Sequence, residues 1–324
     1  MVRKERSISM RYRIGIDLGG TNIAVGIVNG EGQIIHRTSV PTRAQRAGEE
    51  ILEDIAQLVH TLVEGAGLDL SEIEQIGIGV PGTANKRTGI LEYANNLNFT
   101  GISVTHWLEQ RLKRPVKFEN DANAAALGES LMNGEKVDSF LMLTLGTGVG
   151  GGVILGGKLL EGCNFAAAEL GHMVIEKGGR PCTCGRKGCL EAYASATALI
   201  TLANEVLEQE EKPDSSLYQQ WMEQEKTVNG RMIFDCARTG DAIAGRIIKE
   251  YVDYLAVGVT NLVNIFQPDI VCIGGGISAA ADMFLDSLTE QVLKESYAGN
   301  ATIQPKIIPA KLGNDAGIIG AAFL

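Results

Sequence analysis

The chain has 324 residues, 45% of them apolar, and a formal net charge of −10. That is long for one core, so about two domains are expected, with enough apolar material to fill both. The acidic balance argues against nucleic acid or an anionic membrane as the main partner, because both call for a basic face.

Residues 1–12 read as a flexible leader, with a short basic cluster at Arg3, Lys4 and Arg6 and no secretory apolar region. From Ile14 to Asp17 an apolar strand runs into Gly19, Gly20, Thr21 and Asn22, and a second strand follows over 23–28. After a turn at 29–32 a third strand reaches about Thr38. Ile51, Ile55, Leu58 and Leu62 have helical spacing from Gly48 until Gly65 and Gly67 end it. A buried strand at 76–80 stops at Pro81-Gly82. The spacing then predicts a helix over 104–112, with Trp107 and Leu108 on its apolar side, and a strand over 115–119. Asn120 and Asp121 open a helix from Ala122 to Leu131, and Asp121 is a good N-cap type, so capping is one role open to it.

The second half repeats the opening. Strand 143–145 runs into Gly146, Thr147 and Gly148, and after the glycines to Gly152 strands follow over 152–155 and 158–160. Strand, glycine turn and strand, written twice, implies two related lobes. Two such turns can place main-chain N–H groups around a polyphosphate. Residues 163–193 are irregular and dense in Gly, Cys and His. Residues 194–227 look helical around a polar loop at 212–216. A long helix is expected over 241–266, and its apolar run is interrupted by Thr260, Asn261 and Asn264, so it does not read as a membrane span. Strand 269–273 enters Gly274, Gly275 and Gly276, with a helix from Ser278, a strand over 302–309 and a last helix over 313–324. Strands alternating with helices give an α/β class with largely parallel sheets. A soluble, cytoplasmic protein is expected.

Asp17 ends its strand facing the first glycine turn. A carboxylate there either holds Mg²⁺ beside a phosphate or shapes the loop as an Asx-turn residue, and the motif alone does not separate the two. No segment matches the P-loop pattern. Gly146-x-Gly148-x-x-Gly151 fits the dinucleotide fingerprint only loosely, because strand rather than helix follows it. Six cysteines are present, and Cys182, Cys184 and Cys189 fall within eight residues, with His172 ten residues upstream. Cys₃His is a closed tetrahedral zinc set with no open position, so the metal would be structural; three reduced surface thiols are the alternative. Cys163, Cys236 and Cys272 read as core or near-core thiols. His36, His60, His106, Trp107 and Trp221 read as surface or packing residues.

Six motifs in this order carry a resemblance: Asp17-Leu-Gly-Gly-Thr-Asn22, Glu119-Asn-Asp121, Leu145-Gly-Thr-Gly-Val-Gly-Gly-Gly152, Glu169-Leu-Gly-His172, Cys182-Thr-Cys-Gly-Arg-Lys-Gly-Cys189-Leu-Glu191 and Gly274-Gly-Gly-Ile-Ser278. The set resembles the ROK family of bacterial sugar kinases, repressors and open reading frames, and within it the ATP-dependent glucokinases of Gram-positive type. The resemblance implies an actin-like ATPase (ribonuclease H-like) fold of two duplicated lobes flanking a cleft. A small lobe would span 13–118 and a larger one 119–313 with a zinc loop at 163–191, while the helix at about 314–324 packs back on the small lobe. It implies Asp121 as the base that takes the proton of a sugar hydroxyl. Asn96, Asn120, Glu169, His172 and Glu191 would bind sugar hydroxyls, with Asn95 and Asn98 beside Asn96 as neighbouring candidates. Asp17, Gly19, Gly20, Thr21 and Asn22, with Gly146, Thr147, Gly148, Gly274, Gly275 and Gly276, would hold ATP with Mg²⁺. His172, Cys182, Cys184 and Cys189 would hold structural Zn²⁺.

The expected activity is ATP-dependent phosphorylation of glucose to glucose 6-phosphate by a homo-oligomer, dimer or tetramer. A kinase for mannose, fructose, allose or an N-acetylhexosamine is the alternative within the same chemistry. A sugar-responsive repressor of this family needs a DNA-binding domain before Asp17, where only 16 residues stand. Use of polyphosphate in place of ATP would favour a basic groove, against the net charge.

Overall fold

The computed structural model describes residues 12–94, 97–99, 101–135, 137–211 and 213–324. Residues 1–11 of the leader, Asn95, the expected sugar contact Asn96 and Lys212 of the polar loop lie outside the described residues. Tyr12, placed with the leader above, already belongs to a strand.

Two compact units form. The first takes the described part of Met1–Lys136 together with Leu159–Ala168 and Asn314–Leu324. Its elements begin with β1 (Tyr12–Leu18), β2 (Asn22–Val28), β3 (Ile34–Pro41) and α1 (Gly48–Gly65). There follow β4 (Ile73–Val80), β5 (Thr83–Asn85), β6 (Ile90–Tyr93), α2 (Val104–Leu112), β7 (Val116–Asn120) and α3 (Asp121–Met132). The sheet order is β3-β2-β1-β4-β7, antiparallel at the β1–β2–β3 hairpins and parallel from β1 through β4 to β7.

The second unit contains Val137–Lys158 and Glu169–Gly313. It is built from β8 (Ser139–Leu145), β9 (Val149–Leu155), β10 (Lys158–Leu159), α4 (Glu191–Ala194), α5 (Ala196–Glu208), α6 (Ser216–Glu223), α7 (Gly230–Arg238) and α8 (Ala242–Phe266). β11 (Ile270–Gly274), a 3₁₀ segment over Gly276–Met283, α9 (Leu285–Glu295) and β12 (Lys306–Pro309) complete it. Its sheet order, β10-β9-β8-β11-β12, repeats that of the first unit, with β8–β9 antiparallel and β11 parallel to both β8 and β12. The duplication read from the two glycine turns is therefore a duplication of the whole sheet.

The C-terminal helix α10 (Asp315–Ala322) belongs to the first unit, and so does α3, which carries that unit beyond residue 118. The reason lies in the strands. Ile14, Ile16, Leu18, Ile76, Ile78 and Val80 project to one face and are buried with Ile51, Leu52, Ile55 and Leu108 of α1 and α2. The alternate positions Gly15 and Gly77 leave a bare backbone on the other face. α10 lies against it so closely that a Cβ on Gly77 would sit 1.7 Å from the Ala321 carbonyl oxygen. Gly77→Ala is accordingly expected to cost about 3 kcal/mol, the upper end for overpacking, since the obstacle is backbone and cannot rotate away. Denaturant unfolding measures it; a loss below about 1 kcal/mol would mean that α10 can step back without penalty.

Several expectations change. β5 and β6 escape the sequence pattern because three- and four-residue strands show too few alternations. α7 is a separate helix where none was expected, its polar exposed face hiding the apolar Met232, Ile233, Phe234 and Cys236. The segment after Gly276 is 3₁₀ before it becomes α9, and the last strand is only Lys306–Pro309. Cys163 is exposed rather than near the core, because it sits in a loop next to Gly162 at φ 76°, while Cys236 and Cys272 are buried. His36, His60 and His106 are exposed; Trp221 is buried, its indole N–H donating to Asn204 Oδ1 at 2.9 Å. Among the described residues no helix is long and apolar enough to cross a membrane.

Candidate active site

In the first unit the chemistry gathers at the carboxyl ends of β1, β4 and β7. The register pairs Asp17 with Gly79, and Gly79 with Glu119, so these residues form one row across the sheet. Ligands of open α/β sheets bind at this edge. β1 turns into β2 through Gly19 and Asn22, whose N–H and carbonyl close the turn at 2.9 Å. Fully buried Thr42, which the sequence did not single out, pins this turn: its hydroxyl donates to the Gly19 carbonyl at 2.6 Å and its N–H to that of Thr21 at 2.8 Å. Asp17, Gly19, Gly20, Thr21 and Asn22 line a cavity of about 610 Å³ together with Arg37 and Asp315. Asp17 keeps an edge on this cavity while protein surrounds the rest, and burial pushes its carboxyl up to about 6. Gly317 of α10 comes so near that a Cβ there would lie 2.9 Å from the Asp17 Cγ. A half-buried carboxylate aimed into a cavity is favoured in its charged form once a cation arrives, so this donor fits Mg²⁺ carried by a nucleotide.

Asp121 stands two strands away from that turn, a separation of about 10 Å at the usual strand spacing. It is the first residue of α3, and the cap falls to Asn120, whose Oδ1 accepts the N–H groups of Ala122 and Asn123 at 2.9 and 3.1 Å. Asp121 Oδ1 also accepts the Ala122 N–H at 2.9 Å, so the capping role open to Asp121 in the sequence is shared, with Asn120 as the N-cap residue itself. Asn120 Nδ2 also donates to the Gly82 carbonyl at 3.1 Å. Glu119 is 2% exposed; its Oε1 accepts the Asn120 N–H at 2.9 Å and the Asn123 side-chain amide at 3.1 Å, and its Oε2 is ion-paired with Lys86.

In the second unit, the pairing of Thr144 with Gly274 brings the Gly146–Gly148 turn and the Gly274–Gly276 run to one edge of that sheet. The Gly146 N–H donates to the Gly148 carbonyl at 3.0 Å, and the Gly146 and Thr147 carbonyls are held by the Ala196 N–H and the Thr197 hydroxyl, both at 2.8 Å. Glu191 meets the same turn. Its Oε2 accepts the Val149 N–H at 3.0 Å and its Oε1 accepts the Thr183 hydroxyl at 3.0 Å, so one carboxylate ties the turn to the cysteine loop. Gly148 permits this, because a Cβ there would lie 2.4 Å from Glu191 Oε2. Glu169 and His172 bracket one 3₁₀ turn closed by the His172 N–H on the Glu169 carbonyl at 3.1 Å, and i, i+3 side chains of such a turn eclipse on one side.

His172, Cys182, Cys184 and Cys189 converge, with all four potential ligand atoms within 4.8 Å of one another. Cys184 Sγ is 3.7 Å from Cys189 Sγ, and Cys182 Sγ is 3.6 Å from His172 Nδ1. A tetrahedron with Zn–S bonds of about 2.3 Å and a Zn–N bond of about 2.05 Å has edges of about 3.8 and 3.6 Å, so the donors fit that ion. Nδ1 is the nitrogen on the cluster side, which leaves Nε2 for another partner. Burial pushes the Cys189 thiol up to about 12 and raises Cys182, while the Arg186 N–H lowers Cys184.

A model of the ROK family matches residues 13–324. The glucokinase of Halalkalibacterium halodurans is 35% identical over 325 residues, covering 98% of this chain and 96% of that protein. The glucokinase of Thermotoga maritima is 38% identical over 316 residues, with 96% of each covered. A solved ROK family glucokinase from Streptomyces griseus, in complex with glucose and AMPPNP, superposes with a TM-score of 0.80 at 34% identity, over 96% of this chain and 98% of that one. The paired sheets, their glycine turns and a match in both sequence and fold along nearly the whole length lead to one conclusion: the chain belongs to the ROK family and has its actin-like ATPase fold.

Proposed function

We propose that this protein is an ATP-dependent sugar kinase that phosphorylates the 6-hydroxyl of glucose. The observation that carries the reading is the row Asp17, Gly79, Glu119 across the sheet, which sets Asp121, the residue after Asn120, two strands from the Gly19–Asn22 turn, a span of about 10 Å at the usual strand spacing. That span accommodates a terminal phosphoryl group next to a sugar hydroxyl. Asp121 takes the hydroxyl proton as the sugar oxygen bonds to the γ-phosphorus and the bond to the bridging oxygen of ADP breaks. Asn96, Asn120, Glu169, His172 and Glu191 bind and orient the sugar. The turns at Gly19, Gly20, Thr21 and Asn22 and at Gly146, Thr147 and Gly148 hold the phosphates, and Gly274, Gly275 and Gly276 lie along the nucleoside. Mg²⁺, held near Asp17, supplies charge neutralisation on the phosphates. His172, Cys182, Cys184 and Cys189 would hold Zn²⁺ as a closed set of four protein ligands, which would supply no chemistry and would fix the loop that presents Glu191 and His172. The glucokinases at 35% and 38% identity support glucose as the substrate.

A coupled ADP-release assay with MgATP and a panel of glucose, mannose, fructose, allose, N-acetylglucosamine and N-acetylmannosamine tests the reading. Glucose is expected to give the highest kcat/KM. A tenfold preference for another sugar would replace glucose and leave the chemistry standing, whereas no turnover with any sugar would remove the kinase reading.

A further inference from the structure

Lys86 is not part of any motif named above. It sits in the turn between β5 and β6, which Asn85 shapes by accepting the N–H groups of Arg87 and Thr88 on its side-chain oxygen at 3.0 and 3.3 Å. Gly89 then closes the turn at φ 70°. From there the Lys86 ammonium meets two carboxylates. One is Glu119 Oε2, almost wholly buried, and the other is Glu161 Oε1 at 2.6 Å. Burial works against the ammonium, yet the charges of Glu119 and Glu161 carry its pKa above the usual value, so it stays protonated.

Each contact leads somewhere. Glu119 Oε1 holds the Asn120 N–H and the Asn123 side-chain amide, so it grips the N-cap residue before Asp121 and the residue two after it in the first turn of α3. A buried carboxylate without its cation is strongly unfavourable and repacks or protonates, and either change loosens that grip. Glu161 belongs to the arm Leu159–Ala168, which is part of the first unit and leads directly into Glu169. The arm contains two non-glycine residues in the left-handed region, Phe165 at φ 62° and Ala168 at φ 64°. Such conformations persist only where the surroundings hold them. The hairpin turn does so twice, through Lys86 on Glu161 and through the Arg87 guanidinium over the Phe165 ring at 5.6 Å.

We propose that Lys86 is a positioning residue with two arms, one aligning Asp121 through Glu119 and the other fixing the Glu169 approach through Glu161. The inference rests on the reading of Asp121 as the base. It divides the kinetics. Lys86→Met is expected to lower kcat about tenfold or more, as misalignment of a reacting group does, and to raise the KM for sugar. Glu161→Gln cuts one arm only and raises the sugar KM with kcat held within about twofold. The pair Lys86→Met with Glu119→Gln removes the unpaired charge while a Gln carbonyl still accepts both N–H groups, so kcat recovers and KM stays high. Lys86→Arg recovers both.

Steady-state kinetics of these four variants beside Asp121→Asn, with melting temperatures, test it. If Lys86→Met melts lower but keeps wild-type kcat and KM beside an inactive Asp121→Asn, Lys86 is only a structural ion pair and the inference falls alone. An active Asp121→Asn overturns the reading of Asp121 and with it this role. Failure of Glu119→Gln to restore any kcat to Lys86→Met also overturns the proposed route through Glu119.

Discussion

Asp121→Asn is expected to fold, to bind glucose with a KM within a few-fold of wild type, and to lose between about 10²- and 10⁴-fold in kcat, the range for removing a general base. The fold is spared because Asn120 is the N-cap of α3, an Asn side-chain oxygen can still accept the Ala122 N–H that Asp121 accepts at 2.9 Å, and Glu119 anchors Asn120 and Asn123 independently. Asn keeps the size and polarity of Asp at the first helical position but cannot accept a proton at neutral pH. The loss should therefore fall on kcat and kcat/KM alike, the signature of an interaction made only in the transition state. Steady-state kinetics with a melting curve measures both halves of the prediction. A variant retaining more than about a tenth of wild-type kcat would remove Asp121 as the base.

The second large effect concerns the cysteine loop. Three thiols crowd together beside His172, and burial pushes Cys189 up to about 12, so three adjacent thiolates call for a cation. Zinc would displace their protons and lock His172 through Nδ1. Cys184→Ser leaves three ligands and removes the thiol that the Arg186 N–H favours as thiolate. It is expected to lose bound zinc and to raise the glucose KM by about tenfold or more, with the KM for ATP little changed, because the loop carries Glu191 and His172. Metal analysis of purified protein and paired KM measurements check this. Wild-type protein without stoichiometric zinc, or a zinc-free variant with unchanged KM, would contradict it.

How far these features can be read from sequence depends on whether the information is local. The glycine turns at 19–22 and 146–148 and the Cys₃His spacing announce themselves, since each is a short run of residue types with few other uses. Long helices such as α1 and α8 carry enough turns for their period to show. The β5–β6 hairpin does not, and with it Lys86 is lost, because the meaning of that lysine depends on a carboxylate 33 positions later and another 75 positions later. Thr42 is hidden for the same reason: one hydroxyl in an ordinary strand end becomes significant only when β3 lies beside the first turn. The Gly–Ile alternation of β1 and β4 is visible as strand, but its purpose, to seat α10, comes from the opposite end of the chain. Cys163 misleads because small or apolar neighbours in sequence do not imply an apolar environment in space.

The proposed reaction is transfer of the γ-phosphoryl group of ATP to the 6-hydroxyl of glucose. Phosphorus NMR of the product formed from glucose and MgATP by purified enzyme tests it most directly. ADP and glucose 6-phosphate are expected in equal amounts, with formation abolished in Asp121→Asn. ATP hydrolysed to inorganic phosphate without sugar phosphate, or a phosphoryl group on another sugar oxygen, would contradict it.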